Sequence, residues 1–110
     1  MANTFKSFTK ASVGTVTQDV YTVPVSTTSI IIGFCLSNRH SATVEADVFI
    51  NKAGVSEDDV YIVKGIEIPV GSLYDFNAGN KIIVKPGDIV QITSNTASSV
   101  DVIVSVLEQT

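Results

Sequence analysis

The chain reads as an all-β protein, a single-domain antiparallel β-sandwich of jelly-roll or immunoglobulin-like type with about eight strands. Three observations predict this. In Val100-Asp-Val-Ile-Val-Ser-Val-Leu107 a valine recurs at every second position, which is the side-chain period of a strand and not of a helix. The stretch Val44-Glu-Ala-Asp-Val-Phe-Ile50 repeats the device, with Val44, Ala46, Val48 and Ile50 on one face and Glu45 and Asp47 on the other, as in a sheet buried on one side and wet on the other. Turn-forming clusters of Gly, Pro, Asn and Asp then break the apolar segments at the short regular intervals of sandwiches and barrels.

Nine stretches are strand candidates, taken in order. The first, 5–12, carries Phe5 and Phe8 in a Thr/Ser/Lys-rich run that ends at Val13-Gly14. Residues 1–13 are therefore either the first strand or an arm that adds to a neighbour's sheet and covers an open edge, and 14–110 form the sandwich domain. Strands follow over 18–23 and over 28–37, the latter holding the continuous apolar run Ile30-Ile-Ile-Gly-Phe-Cys-Leu36. Further strands span 43–51, 59–68, 72–76, 81–85, 88–95 and 99–108. The breaks Asn51-Lys-Ala-Gly54, Pro69-Val-Gly71, Asn77-Ala-Gly-Asn80 and Lys85-Pro-Gly-Asp88 pair residues that fix a turn torsion with glycines that supply the positive one. Pro86-Gly87 reads as the clearest hairpin, and Ser37–Val44 and Ser94–Val100 as hairpins with wide polar loops. No segment keeps a helical period.

A chain of 110 residues forms one core. Its 45% hydrophobic content and mean hydropathy of +0.34, beside only 16% charged residues, imply a rich core together with apolar surface that partners cover. Seven basic against eleven acidic side chains give a net charge of −4, which argues against nucleic acid and against an anionic membrane surface as partners. Cys35 is the single cysteine, so an intrachain disulfide is excluded, and its apolar neighbours predict a small buried hydrophobe. Residues 1–10 hold no apolar core of signal-peptide length and no run approaches 18 apolar residues, so synthesis and folding are expected in the cytoplasm.

Reaction chemistry is not written in the residues. Glu57, Asp58 and Asp59 are consecutive, without the alternating oxygen spacing of a calcium loop, and read as a solvated turn. His40 follows Arg39 in a polar loop, and no serine sits in a Gly-x-Ser-x-Gly context that would make it a partner nucleophile. The seven glycines are scattered and form no phosphate cradle. Catalytic, cofactor and metal residues are accordingly expected to be none, with no cofactor and no enzymatic activity. A sugar-binding module would need an aromatic platform beside carboxylates, which only Tyr74 next to Asp75, or Tyr61 after Asp58 and Asp59, offers. Phe5, Phe8 and Val13 are the candidate interface, for self-association into a homo-oligomer such as a trimer or a ring.

Thr4-Phe-Lys-Ser-Phe8, Val20-Tyr-Thr-Val-Pro-Val25 with Thr27-Thr28, an apolar strand ending in Leu36-Ser-Asn38, Lys85-Pro-Gly-Asp88 and Thr96-Ala-Ser-Ser-Val-Asp-Val102 together resemble the small virion structural proteins of marine tailed bacteriophages. The middle turn departs from that pattern, since Pro69-Val-Gly-Ser72 lacks its second glycine. The resemblance spans nearly the whole chain. It implies a non-enzymatic virion protein, foremost a capsid decoration or cement component bound in many copies to major capsid protein. A neck or tail accessory, or a receptor- or carbohydrate-binding sandwich, is the alternative.

Overall fold

The computed structural model describes residues 3–52, 57–76 and 81–110, and every regular element in them is a strand. These are β1 (Asn3–Val13), β2 (Gln18–Thr22), β3 (Thr28–Asn38), β4 (Val44–Asn51), β5 (Val60–Ile68), β6 (Leu73–Phe76), β7 (Ile82–Val84), β8 (Ile89–Ser94) and β9 (Val100–Gln109). They form two antiparallel sheets, the first ordered β1-β9-β3-β6 with β7 also on β3, the second ordered β2-β8-β4-β5. β6 and β7 pair with successive stretches of β3, from Ser37↔Leu73 to Phe34↔Phe76 and from Ile31↔Ile82 to Ser29↔Val84, and so act as one interrupted strand. Counted that way the sandwich has eight strands in the order of a jelly roll. The turns expected at Ala53-Gly54 and Asn77–Asn80 lie outside the described residues.

Only β4 and β5 are consecutive strands bonded to each other among the described pairings. This corrects three expected hairpins. Lys85–Asp88 is the tight turn expected, with Gly87 at φ 89° and the Asp88 amide donating to the Lys85 carbonyl at 3.0 Å. β7 however pairs with β3 and β8 with β2 and β4, so the turn carries the chain from one sheet to the other. Ser37–Val44 and Ser94–Val100 cross between sheets in the same way.

The core lies between the sheets, where Ile31, Leu36, Val48, Ile92, Val104 and Val106 are wholly or almost wholly buried. Each such side chain contributes about 1.5–3 kcal/mol by leaving water. The alternation in β9 is as expected, with Val100, Val102, Val104 and Val106 inward and the residues between them facing out. β3 achieves the same only by changing parity. Its pairing with β9 slips between Ile31 and Gly33, so the inward residues are Ser29 and Ile31 before the bulge and Phe34, Leu36 and Asn38 after it. A second bulge, between Lys10 and Val13 with Ser12 at φ 56°, turns Val13 into the core at the end of β1.

Candidate interaction surface

The two outer faces of the sandwich differ in chemistry. On the second sheet, Asp19, Glu45, Asp47 and Glu67 stand outward, and Glu45 and Glu67 are directly opposite across β4 and β5. Like charges in register repel, so this pairing persists only where water screens it. Lys64 is the cation among them, within 4.0 Å of Asp47.

The outer face of the first sheet is nearly uncharged. Cross-strand register builds it in rows: Phe5, Leu107, Ile30 and Ile83 abreast on β1, β9, β3 and β7; then Ser7, Ser105 and Gly33; then Thr9, Ile103, Cys35 and Asp75. The bulge in β3 adds Ile32 to the same side. Phe5 is 75% exposed, Ile83 63% and Ile103 42%, high values for apolar residues in strands. Asp75 and Asp101 are the acidic members of the face, with Lys6 and Lys10 at its β1 margin. Asp101 is neutralised at its end, accepting from the Ser12 amide at 2.9 Å and from Arg39 at 3.1 Å, and these contacts, the amide first, hold its carboxyl below the usual range.

Of the three candidate interface residues, Phe5 alone belongs to this face. Phe5 and Phe8 are three apart in a strand of period two, so Phe8 points inward and stacks on Tyr21 with ring centroids 4.5 Å apart. Val13 is in the core, its carbonyl accepting from the Ser99 amide at 2.9 Å, and offers no surface. Cys35, expected to be buried, is half-buried on the outer face, because the β3 bulge shifts the parity of its neighbours.

Two polar clusters that the sequence reading did not single out fasten the sandwich. Tyr21 on β2 donates its hydroxyl to Glu108 Oε2 on β9 at 2.6 Å and also bonds the Ser29 hydroxyl, while Lys6 on β1 reaches Glu108 Oε1 at 2.9 Å. Burial, then the carboxylate beside it, drives the Tyr21 phenol strongly upward, and the tyrosine hydrogen bond followed by Lys6 holds the Glu108 carboxyl below its ordinary value. At the other end Lys52 Nζ lies 2.6 Å from Asp88 Oδ2, with Asp88 fully buried and Lys52 11% exposed. Asp88 also accepts from the Lys85 amide at 2.8 Å, and bonding to Asp88 raises the Lys52 ammonium. Glu108 continues the inward parity of Val100, Val102, Val104 and Val106, so the alternation marks its position though not its partners, whereas no local pattern marks Asp88 as buried.

The remaining candidates have structural partners. Glu57 meets Lys52 at 3.2 Å and Lys85 at 3.3 Å, and Asp59 accepts the Lys52 amide at 2.7 Å, so part of the acidic run closes a loop. Among the described residues no three His, Cys, Asp or Glu side chains gather as metal ligands. The His40 amide donates to Asn38 Oδ1 at 2.7 Å in the β3–β4 crossover. Tyr61 packs on Phe49 at 5.4 Å with Lys64 Nζ 4.6 Å over its ring, and Tyr74 is half-buried against Phe34. Of the two aromatic platforms considered for sugar binding, Tyr61 keeps 54% of its surface exposed and Tyr74 is half-buried.

No family model and no curated protein matches the chain. Among solved structures, a chain described under "Bacillus endospore appendages form a novel family of disulfide-linked pili" superposes with a TM-score of 0.59 at 14% identity, covering 99% of this chain and 87% of that one. At that identity the likeness is one of fold.

Proposed function

We propose that this chain is a non-enzymatic structural protein of a bacteriophage virion, a capsid decoration or cement component that binds the particle surface in many copies. The observation that carries the reading is the outer face of the first sheet, where Phe5, Ile83 and Ile103 stand exposed with the charged residues toward its margins. A protein with 16% charged residues that leaves such a face open is built to have it covered. The residue-level resemblance to small virion proteins supports the same reading. So does the fold likeness to a chain described under disulfide-linked pili of Bacillus endospore appendages, which are polymeric structures. The acidic second sheet suits the outside of a particle, turned away from packaged nucleic acid.

Purified protein mixed with particles lacking it should bind saturably and co-sediment, and electron cryomicroscopy should place repeated density outside the head shell. A ring at the portal vertex would assign it to the neck or tail instead. Absence of binding to any particle component would overturn the virion reading.

A further inference from the structure

The outer face of the first sheet has relief as well as apolar character. The row Ser7, Ser105 and Gly33 is made of small residues and lies between two rows of larger ones. Ile32 divides this low row into two hollows that meet at Ser105. One, of about 380 Å³, is lined by Phe5, Lys6, Ser7, Ile32, Ser105 and Val106. The other, of about 210 Å³, is lined by Gly33, Cys35, Ile103 and Ser105 among others. Ile103 forms a ridge, with a third hollow of about 270 Å³ on its far side.

We propose that this face seats a second copy of the same chain, back to back about a two-fold axis, with Ile103 of each copy entering the hollow at Ser105 and Gly33 of the other. Three considerations select a second copy. A ridge beside a low row two residues away along the strand is self-complementary, which is the requirement of an isologous contact. Four strands abreast and about nine residues long present roughly 600 Å² at ordinary strand spacings. Two such faces bury about 1,200 Å², the lower bound for a specific, stable interface. Charge selects among the faces as well: at a net charge of −4, two copies repel through the acidic second sheet, whereas the hollows of the first sheet bring Lys6 and Lys10 together with Asp75 and the arginine-paired Asp101. The inference deepens the structural-subunit reading by naming one of its contacts.

Light scattering on the full chain at tens of micromolar should give at least twice 11.7 kDa. Ile103→Glu should return it to the monomer mass. Ser105→Phe is the sharper variant, because it fills the hollow with apolar bulk: a fitted contact is lost, whereas a merely sticky surface would associate more. Phe49→Glu, on the opposite face, should leave the mass unchanged. Circular dichroism confirms that each variant is folded. For a reading that needs no variant, alkylation of Cys35, which lies on the face, should slow at least tenfold between dilute and concentrated wild-type protein. A wild-type monomer with concentration-independent alkylation overturns the inference, as does an Ser105→Phe protein that keeps or gains mass. A monomer that still binds particles would overturn this contact and leave the virion reading intact. A dimer that binds no particle would do the reverse.

Discussion

Replacing Tyr21 by Phe removes a single oxygen atom and leaves the ring stacked on Phe8, so it isolates the cluster that ties β1, β2, β3 and β9 together. The hydroxyl donates to Glu108 Oε2 at 2.6 Å and bonds Ser29, whose side chain is fully buried. Without it a buried carboxylate oxygen and a buried hydroxyl both lose their partner. Each such loss costs about 1–3 kcal/mol, toward the upper end where one group is charged, so about 2–4 kcal/mol is expected at neutral pH. For a domain of this size that is a fall in Tm of roughly 10–20 °C. The pH dependence has a definite sign. The folded protein holds the Glu108 carboxyl below its ordinary value of 4.5, so the cluster's stabilisation is complete above that pH and fades as pH falls through the lower, folded value. The Tm difference between wild type and Tyr21→Phe should therefore be widest near pH 7 and narrow toward pH 3. Thermal unfolding followed by circular dichroism at several pH values measures both. A drop below about 2 °C at pH 7, or a gap that stays constant into acid, would refute the role given to this hydroxyl.

Three further outcomes follow from the core and its fastenings. Val104→Asp places an unpaired charge at a fully buried site, a cost of several kcal/mol against a total stability of roughly 5–15, and should abolish cooperative unfolding and native strand signal. Lys52→Met leaves the buried Asp88 carboxylate without its ammonium and should cost about 3–5 kcal/mol in urea titrations, while Lys52→Met with Asp88→Asn should recover part of that loss. Gly65→Ala forces a side chain into φ 64° at the β4–β5 bulge, and should lower stability by about 1 kcal/mol even though a Cβ there meets nothing closer than 3.6 Å.

Strand positions were legible because period two is a local property: all nine strands fall within two residues of the stretches read from sequence. Sheet membership was not, since the same alternation serves a strand whichever sheet it joins, and Pro86-Gly87 makes the same tight turn in a hairpin or in a crossover. The run Ile30–Leu36 conceals its bulge, because with apolar residues at every position no contrast shows where inward parity changes. That is why Cys35 emerges on the outside. Phe5 and Phe8 carried a usable signal: at a spacing of three, one strand cannot show both to the same partner. The candidate face itself was not visible, as its rows combine residues from β1, β3, β7 and β9 that only register brings abreast.

The placement of β9 between β1 and β3 sets the order in which the molecule can be completed. The strand that joins these two follows both of them in sequence, so the first sheet stays divided until β9 docks, with the edges of β1 and β3 both open. Closure then depends on contacts that span almost the whole chain, Asn3 against Gln109 among them, which places folding in the slow range of high-contact-order β proteins. During that interval the valine row of β9 has nowhere to pack, and a newly made chain at high local concentration is exposed to capture by the open edges of its neighbours. How long that state lasts is set by how quickly β9 finds its slot between β1 and β3.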